Sequence, residues 1–389
     1  METNERNTVI YSMGDCIAAP LGFGSENVFR AVAEGNSVAR LHEGTYGLPE
    51  PFFGSLFERN WIDETFALSC PADNTRYTPF EKIAIIAASE AIRRAGIDAA
   101  SDRVLFVVST TKGNVHLLED LQGFETERVY LWRSAQLIAQ HFGNKNTPIV
   151  ASNACISGVS AQHTAMAFLQ NGLCDYSVVV GAEMLSKFII SGFQSFKALS
   201  PQRCMPFDKD RIGLNLGEGA ACIVFGKGDE DSLPQGTLIY CNSANCNDAN
   251  HISGPSRTGE GLHNAIEKAL AGYDRSKLAF INAHGTATPY NDDMESWAIF
   301  RSNLSKTPTN SLKGYFGHTL GAAGVLETIM SHQALKNGMV LPTKGHCNLG
   351  VAQPITVCTE KQTAHGESFI KLISGFGGSN AAIHFRVKL

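Results

Sequence analysis

Thr147-Pro-Ile-Val-Ala-Ser-Asn-Ala-Cys-Ile-Ser-Gly158 is the stretch on which the reading of this 389-residue chain turns. Pro148–Ser152 has the apolar run of a buried strand, and helical spacing takes over from Cys155 to about Leu169. A cysteine at a strand-to-helix turn meets unpaired backbone N–H groups and the positive end of a helix dipole. Both favour a thiolate and lower the thiol pKa, as a nucleophile requires. Ala154, Ser157 and Gly158 are small enough for a tight turn with an open approach. Taken alone, Cys155 is equally a packing residue, because free cysteine is among the most buried residue types.

The unit has an echo. Thr307-Pro308 opens a strand at Thr307–Ser311, and His318 precedes a helix at Gly321–Leu335. Val104–Gly113, a strand into a glycine turn, likewise matches Leu278–Gly285. Further apolar runs at Asn7–Met13, Tyr176–Val180, Ala221–Phe225, Thr237–Cys241, Ser368–Ser374 and Ile383–Val387 alternate with helical patterns. Those patterns lie at Glu26–Glu34, Phe80–Ala95 and Gly261–Ala271 and begin again at Asp292. Continuously apolar strands interleaved with helices predict an α/β architecture whose sheets are covered on both faces. Polar Gly226–Gln235 is the candidate linker. Two halves packed face to face would bring the strand ends that bear Cys155 and His318 together.

Composition narrows the function classes. Hydrophobic residues make up 43% and charged residues 18%, and the net charge is −5 without any Lys/Arg block, so no nucleic-acid surface is expected. No apolar run is long enough to cross a bilayer. The charged start Met1–Arg6, and an apolar stretch from Val9 broken at Gly14 and Asp15, do not read as a signal peptide. A soluble, cytoplasmic protein is expected. Ten scattered cysteines make no disulfide framework, and Cys241 and Cys246 lack a second pair at zinc-site spacing.

Three more segments carry chemistry. In Ile281-Asn-Ala-His-Gly-Thr-Ala-Thr-Pro-Tyr-Asn-Asp292, His284 ends an apolar strand, where a structural, hydrogen-bonded histidine is the plain alternative. In Ser311-Leu-Lys-Gly-Tyr-Phe-Gly-His-Thr-Leu-Gly-Ala-Ala-Gly324, glycines allow close packing around His318. Lys313 and Glu327 could pair there in a partly buried site. The turn Ser374-Gly-Phe-Gly-Gly-Ser-Asn-Ala381 fits no phosphate fingerprint, and suits better a backbone N–H aimed at an oxyanion. His163, two turns along the helix after Cys155, reads as a packed core histidine.

In this order the segments resemble the elongating β-ketoacyl-acyl-carrier-protein synthases of the thiolase superfamily. Pro20-Leu-Gly22, Ala198-Leu-Ser200, Pro206-Phe-Asp-Lys-Asp-Arg-Ile-Gly213 and Gly217-Glu-Gly-Ala220 extend the likeness over nearly the whole chain. The resemblance implies a thiolase fold, five-layered αβαβα, made of two pseudo-twofold-related halves. Residues 1–230 would carry the nucleophile and residues 231–389 both histidines. It implies 3-oxoacyl-[acyl-carrier-protein] synthase activity: acyl transfer to Cys155, then decarboxylative condensation with a malonyl carrier protein, without metal or cofactor. His284 and His318 would polarise the malonyl thioester, and Lys313, tethered by Glu327, would support them. Backbone N–H groups of Cys155 and Phe376 would form an oxyanion hole, with the Phe376 ring as a gate. Thr286 and Thr288 would hold the phosphopantetheine arm. Acyl carrier protein is the implied partner, with a homodimer or a heterodimer with a chain-length factor as the assembly, and no nucleic acid or membrane.

Departures from the family pattern bear on the substrate. Ala287 stands where Gly or Ser is usual, Leu214 where Phe is common, and Ile156 is bulkier than the usual residue after the nucleophile. The segment from Leu199 to Pro206 is short. These changes are expected to flank the acyl site and fit a specialised pathway, such as aryl polyene or other polyketide-like synthesis. A non-catalytic chain-length-factor-like subunit is the alternative, and such subunits lack the nucleophile. A thiolase would need a second catalytic cysteine, which Cys358 in Val-Cys-Thr does not supply.

Overall fold

The structure, a computed structural model, describes residues 8–58, 60–69, 74–251 and 254–388. The charged start Met1–Arg6 lies outside them. Ten strands carry the architecture: β1 (Thr8–Ala19), β2 (Val104–Ser109), β3 (Ile149–Ala151), β4 (Tyr176–Glu183), β5 (Gly219–Asp229), β6 (Leu238–Asn247), β7 (Leu278–Asn282), β8 (Thr309–Asn310), β9 (Ser368–Gly375) and β10 (Ser379–Val387). The helices that matter below are α1 (Pro79–Ala95), α2 (Leu131–His141), α3 (Ser157–Gln170), α4 (Lys187–Ser195), α5 (Glu260–Ala269), α6 (Pro289–Arg301) and α7 (Ala323–Lys336).

The strands lie in the order β8-β7-β9-β10-β6-β1-β5-β4-β2-β3. Each block of five repeats one topology. In the first, β2 runs parallel to β3 and β4, while β5 is antiparallel to both β4 and β1. In the second, β7 is parallel to β8 and β9, while β10 is antiparallel to both β9 and β6. The blocks meet at β1 and β6, where Tyr11 opposes Ile239.

Layering follows from strands that are apolar on both faces. On β2, Leu105 and Val107 join the central core with Val159 and Met166 of α3 and Val325 and Ile329 of α7. Val104, Phe106 and Val108 face the other way, into a core with Ile83 and Ile86 of α1 and Leu137 and Ile138 of α2. A third core joins Leu262 and Ile266 of α5 and Ile299 of α6 to Ile281 and Ile370. Helices, sheet, paired central helices, sheet and helices give the five αβαβα layers. The two central helices cross at glycines: a Cβ on Gly158 would lie 2.8 Å from Gly324 Cα, and one on Gly324 2.5 Å from Val159 N.

Several elements match their sequence signals. Thr78 closes a capping box with Glu81 at the start of α1, and Gly96 ends it in a left-handed conformation. The proposed linker Gly226–Gln235 is corrected: residues 226–229 extend β5, because their backbone pairs with β1 from Thr8 to Tyr11. Gly228 is needed there, since a Cβ would sit 2.8 Å from the Tyr11 ring. Helices α2 and α4 were not expected from the sequence. Every cysteine among the described residues is a free thiol. No helix among them is long and apolar enough to cross a membrane.

The glycine crossing gives a direct test. Gly324→Val should destabilise the protein by about 1–3 kcal/mol, the usual scale of overpacking, and reduce Cys155 reactivity. Urea unfolding and thiol alkylation measure the two effects, and unchanged values in both would show that the central helices need no such close approach.

Candidate functional site

Cys155 lies two residues before α3, at the sharp turn out of β3. The turn is strained: Ala154 has φ +46°, a left-handed value costing a non-glycine residue about 1 kcal/mol. Asn153 N–H donates to Ser157 Oγ at 2.8 Å, and that hydroxyl donates to Ala154 O at 2.5 Å. On the other side stands the glycine turn after β9. A Cβ on Gly375 would lie 3.0 Å from Cys155 N, so glycine lets the Phe376 backbone approach the cysteine amide.

His284 follows β7. Its N–H donates to Glu295 Oε1 at 2.6 Å, and Gly285 N–H donates to Glu295 Oε2 at 2.8 Å. Asp292 accepts from the N–H groups of Thr286, Ala287 and Phe207. Both carboxylates are buried on α6, and burial lifts their pKa values to about 7 and about 6. The Pro206–Gly213 motif thus clasps this turn, and Arg211 adds an ion pair with Asp293 at 2.8 Å. Thr286 and Thr288 share a hydroxyl–hydroxyl hydrogen bond of 2.8 Å.

His318 is pinned by the Gly217 motif. Its N–H donates to Asn215 O at 2.7 Å, and Gly217 N–H donates to His318 O at 3.0 Å. Gly317, at φ +70°, allows this approach, because a Cβ would lie 2.3 Å from Leu216 O. Leu320 N–H donates to His318 Nδ1 at 3.3 Å, which leaves the proton on Nε2. Nε2 is buried and has no hydrogen-bond partner among the described residues.

The three side chains converge. Cys155 Sγ and one nitrogen each of His284 and His318 all lie within 4.8 Å of one another, and the imidazole centroids are 5.0 Å apart. Both imidazoles are held well below the usual histidine pKa, first by burial and then by Lys313, so both are neutral. Lys313 pairs with Glu327 Oε1, as their spacing suggests. Glu327 Oε2 is taken by a second buried lysine, Lys371 of β9, at 2.5 Å. Lys371 Nζ also donates to Ala283 O at 3.2 Å.

One electrostatic expectation is overturned. Burial pushes the Cys155 thiol up to about 11, with Lys112 and Lys313 acting against it. A helix dipole is worth about 0.3–1 kcal/mol, less than one pKa unit, and cannot offset that. Cys155 therefore rests as a thiol.

Two cavities meet at Cys155. One of about 380 Å³ is lined by His284, His318, Thr286, Thr288, Leu214 and Phe376. The other, of about 570 Å³, is walled by Phe188, Phe193, Phe196 and Phe376, with Lys112 and Leu320. Phe376 borders both and packs against Phe193 and Phe196 at centroid distances of 6.0 and 5.6 Å. Ile156 and Ala287 line neither cavity. Ile156 is buried in the central core, and Ala287 takes φ +64° in its turn. His163 donates to or accepts from Ser243 Oγ at 2.7 Å on β6, away from the site.

Sequence reasoning missed Lys371, Glu295 and Lys112. A lone lysine inside Ser368-Phe-Ile-Lys-Leu-Ile373 was a readable signal, since lysine is almost never fully buried unless paired. Glu295 and Lys112 carry no comparable sign.

Comparison with known proteins follows this geometry. The model of the beta-ketoacyl synthase N-terminal domain matches residues 9–230, and that of the C-terminal domain matches residues 238–346. A Streptomyces halstedii chain named as polyketide beta-ketoacyl synthase 1 is 27% identical over 97% of each chain. The 3-oxoacyl-[acyl-carrier-protein] synthase 2 of Staphylococcus aureus strain COL is 29% identical over 80% of this chain and 82% of its own. Among solved structures, the complex of the ketosynthase ApeO with its chain length factor ApeC from Xenorhabdus doucetiae shares the fold. Its TM-score is 0.84, with 23% identity over 100% of both chains. The ishigamide ketosynthase/chain length factor has TM-score 0.84 and 25% identity over 97% of this chain and 98% of its own. The chain belongs to the β-ketoacyl synthase family, the condensing enzymes of the acyltransferase class.

Proposed function

We propose that this chain is a catalytic ketosynthase that extends an acyl group held on Cys155 with two carbons from a malonyl carrier protein. The observation that carries the reading is the convergence of a thiol and two neutral imidazoles within 4.8 Å, at the junction of two cavities. Acyl transfer forms the Cys155 Sγ–acyl bond and breaks the carrier thioester; the thiol proton passes through a neutral imidazole to the departing pantetheine thiolate. The malonyl arm then enters the smaller cavity beside Thr286 and Thr288. As its carbon–carboxylate bond breaks, the electron pair moves into an enolate. Nε2 donors of His284 and His318 stabilise the enolate oxygen, and carbon dioxide leaves. The enolate carbon attacks the acyl carbonyl, whose oxyanion is held by the N–H groups of Cys155 and Phe376. Collapse expels the Cys155 thiolate, which takes a proton from solvent.

The larger cavity supports a specialised chain. Four phenylalanines suit a flat, conjugated or aryl-bearing acyl group over a coiled saturated one. Lys112 donates to Thr111 Oγ1 at 3.2 Å, a single hydrogen bond among the described residues, and fits a chain bearing an oxygen. We assign the enzyme to polyketide-like, aryl-polyene-type elongation. It works with acyl carrier protein as a dimer, of two copies or with a chain-length-factor-like subunit. A purely scaffolding role would leave the thiol and both imidazoles without a task.

The raised thiol pKa has a sign that can be tested. A folded-state value above the ordinary 9.0 lowers the thiolate fraction at neutral pH. Alkylation of the free enzyme by iodoacetamide should keep rising with pH through 9 toward about 11, and a plateau near neutrality would contradict the resting thiol. Intact-protein mass spectrometry with a panel of acyl carrier-protein thioesters should show an adduct on Cys155, most abundant with aryl or polyunsaturated acyl groups. Cys155→Ala should lose condensation yet keep malonyl decarboxylation. His318→Ala should slow carbon dioxide release about a hundredfold or more. Full condensation by the alanine enzyme, or no adduct with any donor, would overturn the assignment.

A further inference from the structure

Lys371 is fully buried in the middle of an apolar strand, yet nothing in the condensation chemistry above uses it. Isolated burial of an ammonium is costly, and lysine is tolerated inside only when its hydrogen bonds and charge are answered. Two groups answer it. Glu327 Oε2 lies 2.5 Å from Lys371 Nζ, and Ala283 O accepts from the same nitrogen at 3.2 Å. Glu327 Oε1 is already held by Lys313. One carboxylate thus serves two ammonium groups, and the triad carries one net positive charge.

The triad also connects the two histidines. Lys371 polarises the carbonyl of the Ala283–His284 peptide, whose N–H donates to Glu295 Oε1 at 2.6 Å. Lys313 stands five residues before His318 and opens the short helical turn Lys313–Phe316 that leads into it. Glu327, on central helix α7, therefore ties both histidine segments through one side chain.

We propose that Lys371 is a positioning residue for the decarboxylation half-reaction: a built-in second cation that, with Lys313 across Glu327, fixes the His284 backbone and biases the site toward the enolate. The inference rests on the proposed ketosynthase chemistry. The charged and titratable groups that face Lys371 are Glu327 and Lys313, Glu295 of α6, and the imidazoles of His284 and His318. Glu295 forms no ion pair with either lysine among the described residues, because both its oxygens accept backbone N–H groups; it acts on Lys371 through its charge alone, in the same direction as Glu327. Lys371 and Lys313 both act to keep His284 and His318 neutral, the state in which Nε2 donates without itself carrying charge. Burial lowers the Lys371 pKa to about 8, with Glu327 acting against it, so the ammonium is present below that pH and lost above it.

The test uses the full-length enzyme with malonyl and acyl carrier proteins, and compares wild type, Lys371→Met and Lys371→Arg. The methionine variant should fold and acylate Cys155 at close to the wild-type rate, because Lys313 still balances the Glu327 charge through Oε1. Its kcat for carbon dioxide release should fall about tenfold to a hundredfold, with KM for the malonyl carrier changed by less than about threefold. The arginine variant should recover part of that rate. Wild-type decarboxylation should decline above pH about 8, and the decline should move to higher pH in the arginine variant, whose charge persists. Unchanged carbon dioxide release in a folded methionine variant overturns the inference, as does equal loss of acylation and decarboxylation, which would mark Lys371 as structural only. Absence of decarboxylation in the wild type would instead overturn the ketosynthase reading itself. Should the methionine variant fail to fold, the alkaline limb of wild type against the arginine variant decides alone: identical limbs refute the proposal.

Discussion

The backbone contact between Gly158 and Gly324 is the constraint from which the site follows. The two central helices approach so closely that each glycine occupies the space a Cβ on the other would need. Cys155 lies three residues before the first glycine and His318 six before the second, so the crossing brings the two ends of the repeat together. The same crossing sets Glu327, one turn beyond Gly324, within reach of both buried lysines. Close packing of protein interiors makes such a contact all-or-none: a methyl group there moves helices, and with them the reacting groups.

Electrostatics at the centre serves the imidazoles before the thiol. Burial raises the Cys155 pKa and lowers those of His284 and His318, so all three reacting groups rest uncharged. The charges are kept one layer back, on Lys313, Lys371 and Glu327. Neutral donors at the surface of the cavity and fixed cations behind them form a field that favours an anion created there. A thiolate would already have spent that field on itself, which accounts for a site that leaves its nucleophile protonated until a substrate arrives.

The repeat was readable because it is written in apolar runs and glycine turns. Val104–Ser109 and Leu278–Asn282 are strands buried on both faces, and no alternation competes with that signal. Cys155, His284, His318 and the Lys313–Glu327 pair were legible for a different reason, the order of short motifs. What escaped depended on the third dimension. Glu295 sits on a helix whose buried side mixes Asp292 and Ser296 with Met294 and Ile299, and only the fold turns its carboxylate onto the His284 amide. Residues 226–229 look like linker by composition, yet pairing with β1 makes them strand. Ile156 and Ala287 seemed placed to crowd the acyl chain, but adjacency along the chain did not give direction: Ile156 points into the core between the helices.

Each reacting side chain adjoins a non-glycine residue in the left-handed region. Ala154 at φ +46° precedes Cys155, Ala287 at φ +64° follows His284 by three residues, and Leu320 at φ +45° follows His318 by two. Strain of about 1 kcal/mol or more at each persists only where surroundings over-determine the turn. Those surroundings are on hand: the Ser157 hydroxyl at the first, Asp292 at the second, and Glu183, which accepts from Gly321 N–H at 2.9 Å, at the third. The third turn shows what the strain achieves. In its left-handed conformation Leu320 aims its N–H back at His318 Nδ1, and that single bond decides which nitrogen of the imidazole faces the cavity with a proton.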